Sequence, residues 1–144
     1  MESVTMGKVL VTAKIENLLD VLEVQEGRLA ADQVRSVEVS DALVDTGATM
    51  LSMPKRLIAQ LGLRHVRTRQ ARTAAGLATV QVYGAVRLTI QDRDCSTDVT
   101  ELPDDCPVLI GQLVLEGLDF VVDPIGQRLI GNPAHGGEQI IELY

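Results

Sequence analysis

The sequence predicts a predominantly β fold with one or two short helices, and three features of the 144-residue chain predict it. Its apolar residues are almost all aliphatic, with one Phe, two Tyr and no Trp, so Val, Leu and Ile must build the core, and the β-branched share favours strands. Val80, Val82, Val86, Leu88 and Ile90 recur at period two with Gly84 on the same face, the pattern of a half-buried strand. Short apolar runs such as Ala42-Leu43-Val44 and Val108-Leu109-Ile110 are closed by turn residues, as core strands are. A length of 144 residues is enough to bury a core, and residues 1–144 are expected to form one domain.

In chain order, residues 8–15 read as a first strand ended by Glu16 and Asn17. Residues 18–34 suit a short helix, a strand or an excursion between strands. A strand from Val34 to Val44 leads into Asp45-Thr46-Gly47-Ala48. Ser52 is then expected to cap a helix with Pro54 in its first turn, an apolar stripe of Leu57, Ile58 and Leu61, and Gly62 as its stop. Residues 63–73 are polar and extended, and Ala74-Ala75-Gly76-Leu77-Ala78 forms the tip of a hairpin whose return strand carries the alternation. Residues 94–100 suggest another strand, and 103–107 a loop. Val108 to Gly111 reads as a buried strand and Gln112 to Leu118 as one or two helical turns. A hairpin is expected around Pro124-Ile125-Gly126, then a loop, then a last strand over Gln139–Leu143.

Composition excludes several classes of function. The net charge of −7 argues against a general polyanion binder, and the scarcity of aromatic rings leaves no platform for stacking single-stranded nucleic acid. The basic stretch Arg64-His65-Val66-Arg67-Thr68-Arg69-Gln70-Ala71-Arg72 reads as a solvated strand face, or as a groove wall favouring acidic segments. No apolar run is long enough to span a bilayer, and the first eight residues do not have the form of a signal peptide; Met6-Gly7 is a possible alternative start. Cys95 and Cys106 are too few and too far apart for a zinc site and are expected to be free thiols in a cytoplasmic protein. His65 and His135 are expected at the surface, with no metal and no cofactor implied.

An aspartate at the end of an apolar strand is costly unless paired, hydrogen-bonded or protonated, and Gly47 permits a tight turn beside it. Asp45-Thr46-Gly47-Ala48 resembles the active-site loop of the retropepsin-like (retroviral-type) aspartic proteases. A second resemblance follows downstream, where Leu109-Ile110-Gly111 and the helical Gln112-Leu113-Val114-Leu115 match the family's apolar-apolar-glycine signature and helix. The order loop, glycine-tipped hairpin, second signature and closing strands also agrees, and the resemblance spans about residues 8–131, closest to bacterial single-domain members. Gln112 stands where retroviral enzymes often carry arginine, and residues 132–144 match nothing in the family pattern.

The resemblance implies a closed-barrel-like acid protease fold and an aspartic endopeptidase. It assigns Asp45 as catalytic acid and base, Thr46 as a hydroxyl bridging two loops, and Gly47 as an amide donor to the carboxylate. Ala48, Ala74, Ala75, Gly76, Leu77 and Ile110 are then the residues that meet an extended peptide or protein substrate, with Gly76 and its neighbours as a closing flap. Such hydrolysis needs two carboxylates sharing one proton across a water. Only one Asp-Thr-Gly occurs in the chain. The active unit is therefore expected to be a homodimer donating one Asp45 from each subunit. Ala48 offers no hydroxyl to the dyad, which predicts activity nearer mild acid or neutrality than pepsin-like acidity. The competing readings are a dimeric peptide-binding module of the same fold without useful turnover, and an unrelated small β-barrel with a fortuitous motif.

Overall fold

A computed structural model describes residues 8–143. The expectations for the extreme N-terminus, including the Met6-Gly7 start, lie outside the described residues. The elements in order are β1 (Leu10–Asn17), α1 (Leu18–Gln25), β2 (Ser36–Val44), β3 (Leu51–Pro54), α2 (Lys55–Gln60), β4 (Arg64–Thr73), β5 (Gly76–Ile90), β6 (Arg93–Leu102), β7 (Leu109–Ile110), α3 (Gln112–Leu118), β8 (Phe120–Asp123) and β9 (Arg128–Gly131). Two 3-10 turns, Ala31–Gln33 and Pro133–His135, complete the list.

Six strands close into a barrel. The hydrogen-bonded order is β1-β2-β7-β3-β6-β5, and β5 pairs back onto β1 through Lys14↔Thr89 to Asn17↔Val86. Closure leaves these strands no free edge along the paired stretch. The first half of β5, Gly76–Gly84, pairs instead with β4, from Thr73↔Gly76 to Arg64↔Gly84. A single strand therefore runs from a projecting hairpin into the barrel wall. Its partners change at the register irregularity between Tyr83 and Val86.

The barrel interior is aliphatic, as the composition demands. Ala13, Ile15, Leu51, Met53, Val86, Leu88, Ile90, Val99 and Ile110 are buried inside it, while Leu57, Ile58, Leu61, Leu115 and Leu118 pack the helices against it. Burying each large aliphatic side chain contributes about 1.5–3 kcal/mol. The period-two pattern of residues 80–90 is realised: Val82, Val86, Leu88 and Ile90 are buried and the residues between them are half-exposed.

Two ion pairs fix the ends of β1 and α1. Arg87 grips buried Glu16 at 2.9 Å, and Arg35 holds buried Asp20 through Nε at 2.8 Å and Nη2 at 3.0 Å. That bidentate pairing holds the Asp20 carboxyl below its ordinary range. Asn17 caps α1 by accepting from the Asp20 amide and donates to the Leu61 carbonyl, so residues 18–25 become helix.

The structure corrects three expectations. Ser52 does not cap a helix: Leu51–Pro54 is a strand between β6 and β7, because its backbone finds ladder partners on both sides. The helix starts at Lys55 with Pro54 as its N-terminal flank, and Leu57, Ile58 and Leu61 form the expected stripe up to Gly62. Gln139–Leu143 is not a strand. His135, expected at the surface, is half-buried, its side chain being 14% exposed.

The last two corrections have one cause. Asp119, in left-handed conformation after α3, is buried, and its carboxylate gathers the C-terminal segment around it. Oδ2 accepts from the Ile140 amide at 3.0 Å and pairs with His135 Nδ1 at 2.6 Å, while Oδ1 accepts from Asn132 Nδ2 at 3.1 Å. His135 Nε2 in turn meets Glu142 at 2.6 Å. The Ile140 amide, then His135 and Asn132, hold the Asp119 carboxyl down at about 2. Asp119 first and Glu142 second push the imidazole above its ordinary value. Residues 132–143 are thus tied to the barrel mainly through the Asp119 side chain and not by a strand ladder.

Candidate active site

The apolar end of β2 delivers Asp45 to the point where the two separated signatures meet. Leu43↔Leu109 and Val44↔Ile110 pair in parallel, and the Asp45 amide donates to the Ile110 carbonyl at 3.0 Å. The turn closes on itself when the Ala48 amide donates to the Asp45 carbonyl at 3.0 Å. Beyond it, the Gln112 amide donates to the Ala48 carbonyl at 2.9 Å and the Leu113 amide to Thr49 at 3.1 Å. Four backbone bonds between the 43–49 segment and residues 108–113, counting Leu43 to Val108 at 2.8 Å, together with the turn bond, leave the loop little freedom.

Glycine is required on the far side of this junction. A Cβ on Gly111 would lie 2.5 Å from the Met50 carbonyl oxygen and 2.6 Å from the Met50 amide nitrogen, and closer still to the Thr49 carbonyl carbon. These are backbone atoms that cannot swing aside, so only a residue without a side chain lets α3 begin here.

The Asp45 side chain is half-buried, less enclosed than a strand-end carboxylate in the core would be. Its Oδ1 accepts from the Gly47 amide at 3.0 Å, as the motif leads one to expect, and among the described residues no donor meets Oδ2. Thr46 and Gly47 are exposed and Ala48 is half-buried. Asp45 and Thr46 open onto a hollow of about 440 Å³ walled by Val9, Val122, Pro124 and Gln127. The turn between β8 and β9 presents Ile125 beside it, 94% exposed.

A second hollow, about 470 Å³, continues from Thr49 and Met50 beneath the β4–β5 hairpin. Its walls are the hairpin, with Arg67, Arg69, Gln70 and Ala71 on β4 and Val80 and Val82 on β5, and Leu113 at the start of α3. The stem of the hairpin lines this groove. The expected substrate residues Ala74, Ala75, Gly76 and Leu77 sit at the exposed tip, where Gly76 takes φ +113° to turn the chain and the Thr73 hydroxyl bonds the Gly76 carbonyl at 2.7 Å. Ile110 is corrected more firmly. Its side chain is fully buried in the barrel, so it supports the loop through its carbonyl and does not line a cleft of this protomer.

Met50 and Leu113 were not singled out as site residues from the sequence, and the basic stretch was given a groove-wall reading without saying which of its residues line the groove. The pairing of Arg67 with Val82 and Arg69 with Val80 identifies them. Leu113 had no comparable signal.

A closed barrel of six strands, carrying an Asp-Thr-Gly loop stitched to an apolar-apolar-glycine strand and a short helix, is the retropepsin-like aspartyl protease architecture. The family model described as gag-polyprotein putative aspartyl protease matches residues 31–123, well over half of the chain, and the chain belongs to that family. The match covers the Asp45 loop, the hairpin and the Leu109-Ile110-Gly111 strand together. A search of curated proteins returns no match.

Proposed function

We propose that this protein is an aspartic endopeptidase acting as a homodimer. The observation that carries the reading is the Asp45 loop itself: a half-buried carboxylate with one oxygen fixed by the Gly47 amide and the other left open, held by backbone bonds on both sides. A dyad needs a second carboxylate, and a twofold copy supplies one. In support, Thr46 and Gly47 are exposed beside Asp45, and Ile125 is exposed in the turn whose Pro124 and Gln127 wall the Asp45 hollow; apolar exposure near a functional loop marks a surface meant to be covered.

In the dimer the two Asp45 side chains share one proton, since like charges at such short range do not both ionise. The ionised carboxylate takes a proton from a water held between them, and the protonated one hydrogen-bonds the scissile carbonyl as the tetrahedral adduct forms. The proton then passes to the leaving nitrogen. The Gly47 amide steadies the carboxylate, Thr46 bridges the paired loops, and the β4–β5 hairpin closes over an extended substrate, with Ala74, Ala75, Gly76 and Leu77 at its leading edge.

Peptide cleavage measured for wild type and Asp45→Asn across protein concentration, with and without an active-site-directed aspartic protease inhibitor, tests this reading. Specific activity is expected to rise with concentration as dimers form and to vanish in the variant. Peptide affinity without turnover in the wild type would instead identify a binding module of the same fold. Inhibitor-insensitive cleavage that survives Asp45→Asn would remove the proposal.

A further inference from the structure

We propose that the groove beneath the β4–β5 hairpin selects extended peptides carrying an acidic side chain, and that Arg69 is the residue that selects them. This inference rests on the reading of the Asp45 loop as a peptidase site and names its substrate class. Antiparallel pairing places Arg67 opposite Val82 and Arg69 opposite Val80, so both arginines stand on the face that lines the groove. Their situations differ. Arg67 is already neutralised by Asp98, Nη1 to Oδ2 at 2.9 Å, whereas Arg69 has no ion-pair partner among the described residues.

No carboxylate lines the groove, although the chain as a whole carries −7. Its other walls are Met50, Ala71, Val80, Val82 and Leu113, with polar neutral atoms from Thr49, Ser52, Gln70 and Thr100. An uncompensated guanidinium at the edge of a largely apolar trough favours a side chain with an apolar stem and an anionic end. Closure of the hairpin over the peptide would also reduce the water that screens such a pair. The groove begins at Thr49 and Met50, directly after the catalytic loop, so a peptide laid across Asp45 has its flanking residues delivered to Arg69. Arg72 lies on the opposite face of the same strand, in the register of Leu77, and serves as the internal control.

The test uses labelled decapeptides with a central apolar pair and Glu, Gln or Lys scanned through the flanking positions. Cleavage by the wild type gives kcat/KM, and the Asp45→Asn protein gives Kd without turnover. At one flanking position Glu is expected to exceed Gln by about five- to tenfold in both measures, declining with salt. Arg69→Glu is expected to reverse the order in favour of Lys, while Arg72→Glu leaves it as in the wild type. Equal use of Glu and Lys peptides by the wild type, or a reversal by Arg72→Glu as large as that by Arg69→Glu, overturns the inference while leaving the peptidase intact. Charge-selective binding with no cleavage would instead retain Arg69 as the selector and discard the peptidase. Failure of every peptide both to bind and to be cleaved overturns both.

Discussion

Asp45 and Asp119 are the same residue in two opposite states of completion. Each follows an element that ends in apolar residues, and each sits where the chain turns. Asp119 is surrounded by donors from its own chain, with the Ile140 amide, the His135 imidazole and the Asn132 amide all on its two oxygens. Asp45 has the Gly47 amide on one oxygen and an open hollow in front of the other. A carboxylate finished by its own chain is spent on holding structure, and one left half-finished is available for chemistry or for a second subunit.

The largest expected effect comes from exchanging charge at the unfinished site. Asp45→Asn should lower peptide cleavage by at least about a thousandfold. Its denaturant midpoint should still report stability within about 0.5 kcal/mol of wild type, since no buried network is broken. Stability lost along with activity would break the contrast by making Asp45 structural. Asp119→Ala should do the converse. It leaves the Ile140 amide and His135 without their acceptor, so hydrogen exchange at Ile140 should quicken by about tenfold or more while the Asp45 loop keeps its protection.

The pH dependence of the C-terminal attachment sharpens the comparison. Asp119 is held at about 2 against an ordinary 3.8, so its contribution is complete above about pH 4 and is lost as pH falls towards 2. His135 is raised above 6.5, so its contribution is complete below that value and is lost as pH rises through the raised one. Exchange protection of residues 132–143 should therefore be greatest from about pH 4 to 6.5. A maximum on the alkaline side would contradict it. Arg93 also braces this region through the Leu118, Asp119 and Gly137 carbonyls. The smallest effect is expected from Glu142→Gln at the outer end of the relay. It should move the His135 titration, followed by NMR, part of the way back towards 6.5 and leave Asp119 low.

Local signals made much of this molecule legible. The Asp45 loop and Leu109-Ile110-Gly111 each declare themselves within a few residues, and the alternation over Val80–Ile90 fixes an inward face without reference to anything else. Features that depend on distant partners were not legible. Ser52 has the chemistry of a helix cap, yet β6 and β7 draw it into a strand. Gln139–Leu143 has an aliphatic content that suits a strand, yet a single carboxylate from the end of α3 binds the Ile140 amide instead. Ile110 belongs to the second signature, but its inward register turns the side chain into the barrel. Within the basic stretch, Arg67, Arg69 and Gln70 line the groove while Thr68 and Arg72 do not, a division that only the pairing with β5 and the position of the groove make visible.

One strand, β5, is at once the cover of the groove and a stave of the barrel. The base of the hairpin is consequently anchored by the same ladder that fastens the stave to β1 and β6, while its tip projects beyond that ladder. Sliding that ladder by a single residue would turn Arg67 and Arg69 to the outside, changing the ionic character of the groove without altering one letter of its sequence. Alignment of staves, as much as the identity of side chains, is what a mutation far from Asp45 would have to disturb.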